Sequence, residues 1–90
     1  MASKAAQARY DFIGELLAPV QRAAMEGVIA APESPIYERV AKRVVEEGPK
    51  LGRTERWQQA CQWFEAKGED EKDWQWRVVQ GTVWLAHAAE

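Results

Sequence analysis

From Trp57 onward the chain carries five tryptophans, Trp57, Trp63, Trp74, Trp76 and Trp84, and the residues before them carry none. An indole is a large apolar body with one N–H donor, so each must be buried against other segments or offered to a partner. Ninety residues make a single domain spanning 1–90 with one core, too short for a second and thin enough in stability that association with a partner becomes relevant. Where the tryptophans point therefore decides both how the second half packs and what it presents outward.

The spacing of apolar residues predicts helices. Tyr10, Ile13, Leu17 and Val20 recur at intervals of three and four, with Phe12 and Leu16 beside them, in a segment running from about Ser3 to Ala18. Pro19 lacks a backbone donor, so the helix kinks there, or ends and restarts through Val20 to Ala31, with Pro32 and Pro35 closing the segment. Ser34 is placed to cap a further helix with Pro35 at its first position, and Tyr37, Val40, Ala41, Val44 and Val45 line one side of it as far as Glu47. Gly48-Pro49 stops it. Thr54 then caps a helix in which Trp57, Ala60, Cys61 and Phe64 fall at i, i+3, i+4 and i+7, a stripe of core character, and Gly68 ends it. Asp70 or Asp73 starts a last helix through Ala88, with carboxylates at the positive end of its dipole.

The last segment also admits a second description. Trp74, Trp76 and Val78 alternate with Gln75 and Arg77, and Gln80-Gly81 sits between two β-favouring runs, so residues 74–86 fit a hairpin in an α+β fold. The adopted expectation is all-α, a compact bundle of four to five short helices. On a helix turning about 100° per residue, Trp63 lies roughly 110° from the centre of the Trp57 stripe, and Trp74 and Trp76 lie about 160° apart. Trp57 belongs to the core, Trp63 is a candidate for exposure, and at least one of Trp74, Trp76 and Trp84 faces away from it. Trp and Arg dominate the energetics of many interfaces, which makes Trp63, Trp74, Trp76, Trp84, Arg56 and Arg77 the candidate partner-binding residues.

Charge and chemistry narrow the function. A formal net charge of −2 argues against affinity built on neutralising phosphates. The one cationic concentration is Arg39, Lys42, Arg43, Lys50, Arg53 and Arg56, diluted by Glu38, Glu46, Glu47 and Glu55. Arg39, Lys42 and Arg43 share a helix face that could contact nucleic acid or an acidic protein surface, and the segment 39–56 with the helices after it outlines a DNA-binding helix-turn-helix as the alternative function. Against it, the recognition helix would begin with Glu69, Asp70, Glu71 and Asp73, which repel the DNA backbone. The acidic run from Glu65 to Asp73 lacks the spacing of a calcium loop and is accounted for by helix capping, so no metal is expected. Cys61 is the single cysteine, lies on the apolar stripe and is expected to be inert. His87 is the single histidine, and no phosphate loop, nucleophile elbow or metal-binding His pair occurs, so neither an enzyme, a cofactor nor a small-molecule substrate is expected.

No apolar run approaches the roughly 20 residues needed to cross a bilayer, and Lys4, Arg9, Asp11 and Glu15 interrupt the N-terminus too early for a secretory signal. The sequence thus leads to a small cytoplasmic interaction protein, an adaptor or inhibitor of a larger macromolecule, whose partner is another protein or a second copy of itself. Small acidic domains of this kind occur among bacterial regulators and phage-encoded proteins that modulate their hosts.

Overall fold

Ser3 opens the first helix: its backbone is extended and its side-chain oxygen accepts the Ala6 N–H at 3.1 Å, satisfying one of the donors that a helix start leaves over. In this computed structural model, which describes residues 3–26, 36–66 and 71–90 and only the backbone of 71 and 72, four α-helices follow one another. They are α1 (Lys4–Met25), α2 (Ile36–Glu47), α3 (Glu55–Trp63) and α4 (Glu71–Ala88), with a 3₁₀ turn at Gly48–Lys50 between α2 and α3. The fold is an all-α bundle, with no strand among the described residues.

α1 continues through Pro19 to Met25 and neither ends nor restarts there. Pro19 lies on the exposed side, as does Glu15, whose carbonyl would have accepted the missing N–H. The buried residues of α1 are Ala6, Arg9, Phe12, Ile13, Leu16 and Ala23, whereas Tyr10, Leu17 and Val20 are half-buried at the margin. The face toward the core is therefore rotated from the one the apolar spacing suggested, because a charged residue, Arg9, belongs to it.

α2 buries Tyr37, Val40, Ala41 and Val44, with Val45 half-buried beside them. The cap at Ser34 with Pro35 and the stop at Pro32 lie outside the described residues, as do the Gly68 stop, the Asp70 cap and Glu69. Gly48 begins the turn as expected, and close packing explains why a glycine stands there. A Cβ on Gly48 would come within 2.8 Å of the Cys61 sulfur. Thr54 caps α3 by accepting the Trp57 N–H at 3.2 Å, and Trp57, Ala60, Cys61 and Phe64 are all buried.

Residues 74–86 belong to α4, so the hairpin alternative is overturned. Asp73, proposed as a cap, stands inside the first turn of this helix. Gly81, which resembled a turn residue, instead lets α4 approach α3: a Cβ there would stand 2.4 Å from the Phe64 ring and 2.7 Å from the Trp63 ring. Thr82 Oγ1 donates to the Val78 carbonyl at 2.7 Å, so the hydroxyl is satisfied within the helix. Val78, Leu85, Ala88 and Ala89 join residues of α1, α2 and α3 in one buried cluster.

Arg9 closes this core. It is only 6% exposed, and its Nε donates to the Ala89 carbonyl at 2.7 Å and its Nη1 to the Leu51 carbonyl at 3.2 Å. The guanidinium lies 5.7 Å from the Trp57 ring centroid. One side chain thus joins α1, the turn before α3 and the end of α4.

Candidate functional site

Two opposite faces of α4 are apolar. Val78, Gly81, Thr82 and Leu85 turn inward and are buried, while Trp76 (56% exposed), Val79 (62%), Val83 (46%) and Trp84 (44%) turn outward. A surface helix ordinarily sets a polar face against its buried one. α4 does not, and its outer side carries most of the exposed large apolar surface among the described residues.

The tryptophans divide accordingly. Trp57 is fully buried and its indole N–H donates to the Gly48 carbonyl at 2.6 Å. Trp74 is half-buried against the core. Trp63 is half-buried as well, flanked by Trp76 with ring centroids 5.7 Å apart and by Trp84 at 4.7 Å, both tilted rather than parallel. α3 thus places Trp63 beneath the two exposed indoles of α4, and the separation of about 160° between Trp74 and Trp76 appears as one packed and one exposed indole.

Arg77 locks this arrangement. Its guanidinium lies 4.6 Å from the Trp63 ring centroid, and its Nη2 donates to the Trp63 carbonyl at 2.7 Å. The Trp63 indole N–H answers by donating to the Arg77 carbonyl at 2.9 Å. The Nε of Arg77 is buried and has no hydrogen-bond partner among the described residues. This arginine supports the aromatic platform from within the fold, and its head is turned onto Trp63.

Beside the platform an open groove of about 460 Å³ runs between α3 and α4, lined by Arg56, Gln59 and Ala60 on one side and Gln80, Val83, Trp84 and His87 on the other. The small side chain of buried Ala60 makes room for it. Arg56 and His87 are both exposed, and the lining holds no carboxylate among the described residues.

The candidates on α2 lie elsewhere. Arg39 and Lys42 are exposed, but Arg43 turns toward α1, with Nη2 2.7 Å from Glu15, Nε 2.9 Å from Glu47, and its guanidinium 5.5 Å from the Phe12 ring centroid. Hydrogen bonds to the two glutamates hold its pKa above the ordinary arginine value. The cationic trio is therefore split, with Arg43 committed to an internal ion-pair network.

Cys61 lies in the core, where burial, with a smaller contribution from the Glu65 charge, pushes its thiol from 9.0 up to about 11. Among the described residues no group of three or more His, Cys, Asp or Glu is placed to hold a metal, and no helix is long and apolar enough to cross a membrane.

Sequence reasoning singled out the tryptophans and missed Val79, Gln80, Val83, His87 and Gln59. The missed pattern was Trp76, Val79 and Val83 at intervals of three and four, hidden because Val78, Leu85 and Ala88 repeat on the other side of the same helix. Comparison of the chain with protein-family models, with curated proteins and with solved structures returned no match.

Proposed function

We propose that the protein is a small interaction module that associates with another protein surface through the outer face of α4, acting as an adaptor or inhibitor in the cytoplasm and carrying out no reaction of its own. The observation that carries this reading is the exposure of Trp76, Val79, Val83 and Trp84 along one side of a helix whose other side is already buried. Exposed apolar area of this kind marks association surfaces, and an indole held rigidly by its neighbours binds with little loss of conformational freedom. Trp63 and Arg77 supply the rigidity, and Arg56 supplies a charged rim.

The test is a pair of surface variants. Trp76→Ser combined with Val83→Ser should abolish stable association in affinity capture at a cost of about 1 kcal/mol in stability, the scale of a lost aromatic pair. Arg39→Glu combined with Lys42→Glu should retain it. Retention by the first variant and loss by the second would move the binding surface to α2.

A further inference from the structure

We infer that the outer face of α4 closes on a second copy of this chain, in a two-fold antiparallel pair whose axis passes over Gln80. This rests on the proposed association through α4 and names its occupant.

The side chains of that face are disposed symmetrically about Gln80 in position and complementarily in chemistry. Trp76 and Trp84 stand four residues to either side, and Asp73 and His87 seven residues to either side. With a turn of about 100° per residue, all four lie within about 40° of Gln80 around the helix, and Asp73 and His87 are roughly 21 Å apart along it. Asp73, Trp76, Trp84 and His87 are exposed, and Gln80 is half-buried between them.

A two-fold axis through Gln80 sets Trp76 of each chain against Trp84 of its mate and Asp73 against His87. The Gln80 amides meet across the axis, each able to donate to and accept from the other. Closed two-fold dimers use one patch twice, so a patch must complement its own rotated image. This one does, because the acidic end of the ridge falls on the end that carries Arg56 and His87.

The groove gives the mate's indole a place to go. Its lining of Gln80, Val83, Trp84, Ala60 and Arg56 lies where the rotated Trp76 arrives, and about 460 Å³ is room for an indole. The carboxylate of the rotated Asp73 then enters a lining that, among the described residues, has a guanidinium and an imidazole and no acid. The interface is thereby completed twice by the same residues.

Light scattering and sedimentation of the intact chain between 1 and 200 µM, taken as about the range in which small interfaces associate, read the outcome. The mass should rise from 10.2 kDa toward twice that value. Asp73→Lys should raise the dissociation constant about tenfold, since each dimer then holds two repulsive contacts in place of two attractive ones. Arg56→Glu should do the same, and the double variant Asp73→Lys/Arg56→Glu should recover most of the loss, a rescue that misfolding would not give. Circular dichroism of each variant should match the parent. A mass of 10.2 kDa throughout overturns the dimer and leaves the capture experiment with the Trp76/Val83 variant to judge association with a different protein. A dimer insensitive to both single substitutions, or not rescued by the double one, overturns the pairing about Gln80.

Discussion

At Gly48 three separate requirements meet on one residue. Its carbonyl accepts the Trp57 indole N–H and the Leu51 N–H, and the space beside its Cα is filled by the Cys61 sulfur. The thiol is held dry by this packing, and its pKa stands near 11 instead of 9.0. The native state therefore keeps a proton that the unfolded chain releases, so this contribution to stability is intact below about pH 9 and is lost as pH rises toward about 11. Chemical denaturation across that window should show a falling midpoint, and Cys61→Ala should flatten the fall without removing it, because burial also raises Tyr37. An identical slope in the variant would mean that the thiol does not titrate with unfolding. The position of Cys61 was legible in the sequence, because its stripe with Trp57 and Phe64 has unbroken helical spacing. Arg9 was not legible in this way, since a charge on the margin of an apolar face ordinarily means a solvated residue and only the fold reveals two carbonyls waiting for it.

Helix α4 shows how one glycine decides an element. In isolation Gly81 weakens a helix by about 1 kcal/mol relative to alanine, and beside Gln80 it reads as a turn. Here it permits α3 and α4 to touch, and Phe64 and Trp63 occupy the volume of the missing side chain. Gly81→Ala should therefore destabilise by about 1–3 kcal/mol despite the gain in propensity, because the rings it meets belong to a packed core. Gly14 is the counterpart: exposed on α1, with nothing among the described residues within 4 Å of its would-be Cβ. Gly14→Ala should stabilise by about 0.5–1 kcal/mol. Opposite signs for the same substitution in thermal or urea unfolding would establish that packing governs the first and backbone freedom the second. The hairpin alternative failed for the same reason. Alternation and a Gln-Gly pair are local cues, whereas the helical period of Trp74, Val78 and Leu85 is rewarded only once α1, α2 and α3 offer a surface to pack on. The candidate site was half legible: the sequence marks the tryptophans, but which of them α3 sandwiches and which it leaves exposed depends on the approach that Gly81 allows.

Across the whole molecule, Arg9 reaches from the first helix to Ala89, and Tyr10 beside it spans the same distance in sequence by donating to the Glu90 carboxylate at 3.1 Å. Arg9→Ala removes two charge-assisted hydrogen bonds and the packed stem, and should cost about 2–4 kcal/mol, much of the margin of a domain this size. Contacts between residues so distant in sequence are expensive in chain entropy and form late. The loss should therefore appear mainly as faster unfolding in stopped-flow experiments, with the refolding rate little changed. A slowed refolding limb would instead place Arg9 in the folding nucleus. The same connection sets an order of events during synthesis. Translation delivers Arg9 80 residues before Ala89, so α1 can meet Arg43 of α2 through Phe12 and Glu15 long before the carbonyl that receives the Arg9 Nε exists. The Arg9 guanidinium stays hydrated on its Ala89 side until that carbonyl has left the exit tunnel, so α1 is seated in two stages, on α2 first and against α4 afterwards.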